Sequence, residues 1–314
     1  MKRKSRTVVP VPQDASPLRH LPLVDLLVDT RTELFELAMR AGLRVFTKML
    51  EEAGLLHGRT IAVDTTTLEA NAAMRSIVRR ETSESWTEYI RRLAQEDGIE
   101  NPTDEDARRH DRKRKKKVSN REWVSETDPD AKIAKMKDGQ THLAYKASHA
   151  VDLVSDAVVA IEIHPADLGD TQMLVEITCA AERELAEAGH EKPLQEVVAD
   201  KGFHSAKGLA DCAAEGIRTY IPEPRSSRRR RWQDKLAAWR EAVVGNRRRT
   251  KGARGRALQR KRSEMVERSF AHSCETGGAR RTWLRGFLKI RKRYCVHMAG
   301  RNLGLLMRVC FEMG

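Results

Sequence analysis

The chain has 314 residues, 40% of them hydrophobic and 33% charged, with a formal net charge of +14. A mean hydropathy of −0.60 and a pI near 9.8, with no run of eighteen apolar residues, exclude transmembrane helices and point to a polyanionic partner. Five scattered cysteines with no C-x-x-C pair exclude a disulfide framework or a zinc ribbon and fit a reducing cytoplasm.

Residues 1–30 read as a poorly ordered basic tail without the apolar core of a secretory signal. Residues 31–58 read as a short helical segment, its stripe of Leu34, Leu37, Leu43, Phe46 and Leu50 broken at Gly42. The catalytic-domain candidate spans 59–314, with insertions at about 70–140 and 225–262. TIAVD (60–64) is a short strand with Ile61 and Val63 on one face and Ala62 and Asp64 on the other. A polar helix follows from about Leu68 to Ala94. Residues 104–120 read as disordered surface, all six of 112–117 being basic. From Thr141 two strands form a hairpin around a turn at Val154–Asp156. Asp170 then caps a helix of about eighteen residues that ends at Gly189. EVVAD (196–200) is the next strand, 209–216 a short helix and 218–224 another strand. The segment 225–262 is mostly helical, 263–274 a further helix, and 286–311 a long apolar-periodic helix. The order predicts an α/β fold, a mixed sheet flanked by helices, in which the later strands are parallel. Cys179 and Cys212 are expected to be buried packing residues.

The charge is concentrated. Residues 225–262 hold sixteen Lys/Arg against Asp234 and Glu241, an excess equal to that of the whole chain. Asp64 and Asp200 each close a short apolar strand, and ligands gather at the carboxyl ends of strands in α/β sheets. If the two strands are neighbours, the carboxylates converge on a site suited to magnesium. A third acid is expected from the helix SEMVERSFAHSC, where Glu264 and Glu267 compete. Glu267 lies beside the Val266/Phe270 stripe and is expected to be partly buried, but periodicity leaves the choice open. Lys201, Arg268, His272, Arg280 and Arg281 are candidate phosphate contacts, the last two beside Trp283. His204 either approaches this site or bonds a loop. No H-E-x-x-H, Walker, dinucleotide-binding or G-x-S-x-G pattern is present.

The strings IAVDTTTLEANAAM, DPDAKIAKMKDGQTHLAYKASHAVD, EVVADKGFHS, VERSFAHSCETGGARRTWLRG and NLGLLMR, in this order over residues 31–314, resemble DDE transposases of bacterial insertion sequences with an IS4-like catalytic domain. The resemblance implies an RNase H-like fold and cut-and-paste DNA transposition by strand cleavage and strand transfer. It implies two Mg2+ ions, replaceable by Mn2+, held by Asp64, Asp200 and Glu267, and so selects Glu267 over Glu264. It implies double-stranded DNA as partner, a homodimer, no membrane, no nucleotide cofactor and a cytoplasmic, nucleoid-associated location. The expected DNA contacts are Lys201, Arg228, Arg229, Arg230, Arg231, Arg247, Arg248, Arg249, Arg268, Arg280 and Arg281. Two departures stand out. Only about sixty residues precede Asp64, which suggests an N-terminal truncation, and Cys274 occupies the position seven after Glu267 where the wider group often has Lys or Arg. The alternative expectation is an inactive, transposase-derived DNA-binding protein.

Overall fold

The computed structural model describes residues 42–114, 118–136, 138–225 and 231–310. The expected tail, the first part of the N-terminal helical segment and Arg228, Arg229 and Arg230 lie outside them. Residues 42–52 form helix α1, of which Gly42 is the first described residue.

The centre of the molecule is a six-stranded mixed sheet. Strand β1 is Thr60–Glu69. It pairs antiparallel with β5 (Thr141–Asp152) on one side and parallel with β7 (Glu196–Ala199) on the other. Strand β8 (Arg218–Tyr220) pairs parallel with β7. The far side of β5 carries β4 (Lys132–Lys135) along its first residues and then β6 (Val158–Pro165), both antiparallel. The expected hairpin is therefore β5–β6, and its turn includes Asp156 at φ 67°. The crossover from β6 to β7 runs through α4 (Asp170–Glu187), and that from β7 to β8 through α5 (Ala206–Ala214). The parallel strands are the later ones, as their alternation with helices predicts.

Alternation along β1 divides the core. Ile61 and Val63 pack with Val197, Ala199, Leu174 and Ile177 against α4. Ala62 and Leu68 join Val266 of α7 (Ala253–Ala271) and Tyr294 of α8 (Phe287–Cys310) on the opposite face. Cys212 is buried as expected, but Cys179 is exposed, because its neighbours Thr178 and Ala180 take the inward positions of α4.

Two stretches differ from their predicted structure. Residues 65–69 continue β1, so that Leu68 and Glu69, expected to open a helix, are strand, since each finds a partner on β5, Leu68 opposite Tyr145. The rest of that stretch becomes β2 (Ile77–Arg79), paired with β3 (Trp123–Ser125), and helix α2 (Trp86–Glu96). The charged run after residue 103 is helical as far as Lys113, as α3 (Asp104–Lys113). Thr103 and Asp106 form a capping box at its start; three acids fill the first turn, and His110, Arg112 and Lys113 the last. These features complement the helix dipole where apolar periodicity is missing. Around the fully buried Trp123, the rings of Trp86 and Tyr89 close a small aromatic core, with the Arg79 guanidinium 4.9 Å from the Tyr89 ring centre.

Of the basic segment, residues 237–262 fold as α6 (Ala237–Lys251) and the first half of α7. The helix expected at 263–274 is continuous with the preceding one as far as Ala271, and a single π-turn, His272–Thr276, ends it.

Candidate active site

Strands β1 and β7 run in parallel with Val63 opposite Ala199, so Asp64 and Asp200, the next residues of each, stand side by side where β7 ends, while β1 continues to Glu69 and corrects the expectation that Asp64 closes its strand. Both belong to the face covered by α7, because Ala62 and Val198 lie there and side chains alternate. Asp64 Oδ1 accepts a 2.8 Å bond from the Thr65 amide. Burial raises the Asp64 pKa, and the like charge of Asp200 adds to the rise, against the opposing pull of Arg262 and the Thr65 amide. Asp200 caps a short turn, Lys201–Phe203, and accepts from the Gly202 amide.

Gly202 is required by close approach. A Cβ there would stand 2.8 Å from Asp200 Oδ1 and 2.9 Å from Asp170 Oδ2. Gly202→Ala is expected to displace the Asp200 carboxylate, lowering any cleavage about tenfold or more, since misplacement by about 1 Å costs on the order of 10²-fold. The melting temperature should change little, because the obstructing atoms are movable carboxylate oxygens. Single-turnover cleavage measured beside thermal melting checks this, and unchanged cleavage would remove Gly202 from the site.

On the other face of the sheet, Asp170 Oδ1 accepts from Lys146 Nζ at 2.9 Å and from Thr65 Oγ1 at 3.4 Å. This buttress ties the start of α4 to the residue after Asp64. The sequence reading gives Asp170 only a capping role.

Helix α7 lies across the carboxyl ends of the strands. Gln259 Nε2 donates to the carbonyls of Ala199 (3.0 Å) and Tyr220 (2.6 Å). One turn later Arg262 Nη1 donates to Asp64 Oδ2 at 2.6 Å, from a side chain only 12% exposed. Its Nη2 reaches Ser263 Oγ, and its Nε is buried without a hydrogen-bond partner. Val266 is fully buried, and Ser269 and Phe270 meet His149, the residue opposite Asp64 on β5. The row 259, 262, 266, 269 and 270 thus faces the sheet. Sequence reasoning missed Arg262 as a site residue, although its four-residue spacing from Val266 signalled an inward position.

Glu267 stands about 100° around the helix from Val266 and is exposed, not partly buried as expected. Glu264 is also exposed and pairs with Arg268 at 2.6 Å. Among the described residues no group of three His, Cys, Asp or Glu could hold a metal ion. The structure brings Asp64 and Asp200 together and leaves Glu267 outside the pair. Two neighbouring carboxylates fit one divalent ion, since Mg2+ commonly takes one or two carboxylates and completes its shell with water and phosphate.

His149 seats α7. It is fully buried, bonds Ser269 Oγ at 2.8 Å and Tyr294 OH at 2.9 Å, and stacks on Phe270 at 4.1 Å. Burial, reinforced by the positive charge of Arg301, holds its pKa well below the ordinary 6.5. The unfolded chain takes up a proton near that value and the folded chain does not. The stability from neutral His149 is therefore complete above about pH 6.5 and is lost as pH falls below it, by up to about 1.4 kcal/mol per pH unit. Urea midpoints between pH 7.5 and 5.5 should fall with pH, and a slope unchanged in His149→Gln would reject this origin.

The expected DNA contacts divide into two sets. Lys201, Arg231 and Arg248 are exposed, and Arg248 lines a cleft of about 660 Å3 with Trp232, Lys235 and Arg240. Arg281 is 70% exposed, 3.5 Å from Glu69, and Arg280 pairs with Glu275. Arg247 is engaged by Glu223 through two bonds of 2.7 and 2.9 Å, Arg249 Nε donates to the Thr219 carbonyl, and Arg268 also pairs with Asp156. His204 is buried at the end of the turn that follows Asp200, and Cys274 is buried on the π-turn after α7. No helix among the described residues is long and apolar enough to cross a membrane.

A family model described as a transposase DDE domain matches residues 60–303. No curated protein and no solved structure matches the chain.

Proposed function

The chain belongs to the family of transposase DDE domains, whose RNase H-like architecture its mixed sheet and flanking helices follow, and from that premise we propose that Asp64, Asp200 and Glu267 are the catalytic carboxylates of a metal-dependent DNA strand-cleavage and strand-transfer enzyme. The observation that supports this most is the placement of Asp64 and Asp200 just beyond the last paired residues of two hydrogen-bonded parallel strands, on one face of the sheet. Two Mg2+ ions, or Mn2+ in their place, would supply activation of the attacking water and stabilisation of the leaving 3′ oxygen when bound.

Asp64 holds its oxygens on a paired strand and Asp200 on the turn that follows one. For Asp64 to take up a cation through Oδ2, Arg262 must let go of that oxygen, and a DNA phosphate is the natural acceptor for its guanidinium. Glu267 has to join by moving its own side chain, because His149, Val266 and Gln259 keep α7 seated. Lys201, Arg231, Arg248, Arg280 and Arg281 are the preferred backbone contacts, and binding through them should weaken steeply with salt. A homodimer working on paired element ends in the bacterial cytoplasm, and an IS4-like placement within the family, belong to the same proposal and rest on the sequence strings.

The test is a nicking and strand-transfer assay on duplex DNA carrying the element's ends, with Mg2+ or Mn2+ against EDTA. Metal-dependent nicks followed by joined products are expected, and Glu267→Gln should abolish both while binding DNA normally. Full nicking by Glu267→Gln would remove Glu267 from the set and leave the two aspartates in it. One observation favours a second reading, a DNA-binding protein without chemistry: the Asp64 carboxylate is engaged by Arg262 and Glu267 faces solvent. DNA binding with no metal-dependent nicks would decide for that reading.

A further inference from the structure

The loop between α7 and α8 has its own architecture. Residues 280–282 lie against the end of β1, which runs five residues beyond Asp64. The Glu69 amide donates to the Arg280 carbonyl at 2.9 Å, and the Thr282 amide to the Glu69 carbonyl at 2.8 Å. Asn71 Nδ2 donates to the Trp283 carbonyl at 2.9 Å, and Arg285 Nε to the Asn71 carbonyl at 3.0 Å. Asp128 Oδ1 accepts from the Gly286 amide at 3.1 Å and also from the hydroxyl of the buried Tyr145. The backbone on both sides of Trp283 is thus fixed.

The Trp283 side chain nevertheless points into solvent. It is 65% exposed, the only one of the five tryptophans in the exposed class. The Arg293 guanidinium lies 4.9 Å from its ring centre, held by the carbonyls of Gly277 (3.2 Å) and Gly278 (3.1 Å). A cation fixed against one face leaves the other face for a planar partner. The surroundings are basic: Arg280, Arg281, Arg285 and Arg293 stand against Glu69 and Glu275, which pair with Arg281 and Arg280. A rigid aromatic with one open face, set among arginines, matches the chemistry of a nucleobase flanked by phosphates.

Building on the DNA-processing reading above, we propose that Trp283 is a stacking platform for an unpaired base of the bound DNA. The base must be out of the stack, as in a splayed or single-stranded end, because bases inside a duplex have both faces covered by their neighbours. The spacing follows from the strand. Glu69 lies about 17 Å along β1 from Asp64 at about 3.3 Å per residue, and one DNA strand rises about 3.4 Å per nucleotide. The platform therefore addresses a nucleotide no more than about five from the phosphate at Asp64, and fewer where the unpaired strand is stretched beyond the duplex rise. It holds a splayed or single-stranded end at a fixed distance from the cut.

Binding in EDTA isolates this site from cleavage. The whole chain is titrated with a blunt duplex and with the same duplex carrying a short single-stranded overhang that contains 2-aminopurine. The wild type is expected to prefer the overhang and to quench the probe. Trp283→Ala should lose about five- to a hundredfold in overhang affinity, the range of one base stack, together with the quench, while blunt-duplex affinity is unchanged; Trp283→Phe should restore most of it. Equal overhang binding by wild type and Trp283→Ala overturns the platform, as does an equal loss on both DNAs, which would make Trp283 a general contact. Either result leaves the assignment of Asp64 and Asp200 standing, since their test is metal-dependent nicking. Failure to bind any DNA would sink both.

Discussion

Asp64→Asn and Asp200→Asn are each expected to lower metal-dependent DNA cleavage by about 10²–10³-fold or more, the scale on which loss of one electrostatic group at a reaction centre is felt. The amide keeps the shape of the carboxylate, and its carbonyl oxygen could still accept from the Thr65 amide as Asp64 Oδ1 does. What is lost is the negative charge on which a divalent ion depends. Folding should survive: burial is the main cause of the raised Asp64 pKa and Asp200→Asn removes a like charge, whereas Asp64→Asn also takes the charge that pairs with Arg262 and should be the less stable of the two variants. DNA affinity should hold or rise slightly, since the chain becomes less acidic next to a polyanion. Single-turnover nicking with Mg2+ and with Mn2+, run beside an anisotropy titration, separates chemistry from binding. Nicking at the wild-type rate by either variant would show that its aspartate is not part of the catalytic centre.

Asn302→Leu is expected to cost about 2–5 kcal/mol of stability, enough to unfold a marginal domain. Asn302 is fully buried on α8, and its side-chain amide acts as a strand neighbour for β6. Its Oδ1 accepts from the Val158 amide at 3.0 Å and its Nδ2 donates to the Val158 carbonyl at 2.8 Å. Leucine has nearly the same shape, so packing is kept and two buried backbone groups lose their partners. Asn246 does the same for Ile221 on the other side of the sheet, at 2.9 and 2.7 Å, and Asn246→Leu should behave alike. Urea unfolding monitored by circular dichroism measures the loss. A change below about 0.5 kcal/mol would mean that water or a backbone shift satisfies Val158.

The two asparagines clarify why parts of this sequence read plainly and others do not. NLGLLMR is legible as a closing string, but nothing local says that its asparagine completes a sheet. The strands TIAVD and EVVAD are legible because alternation and valine-rich burial are properties of a few consecutive residues; Asp200 does follow its strand, but Asp64, expected to close a strand, lies in the middle of one. The order of strands and helices is legible for the same reason. The run 65–69 misleads because threonine and glutamate decide little by themselves, and pairing with β5 decides for strand. The helix at Asp104–Lys113 escapes a reading by periodicity because its support lies in caps and end charges rather than in an apolar stripe.

By itself, the sequence determined the alternating α/β order, an aspartate on each of two apolar strands and the basic excess in one segment, since each rests on neighbours or short-range periodicity; that β1 continues past Asp64 to Glu69 came from its pairing with β5. Only the tertiary structure decided which strands adjoin, and therefore that Asp64 meets Asp200. It also decided that Arg262 rather than Glu267 faces Asp64, that Arg247, Arg249 and Arg268 are engaged within the protein, and that Trp283 is held out in solvent. The physical reason is that the direction of a side chain on a helix or loop depends on which face the packing buries. That choice is made by residues such as His149 and Gln259, whose partners lie far away along the chain.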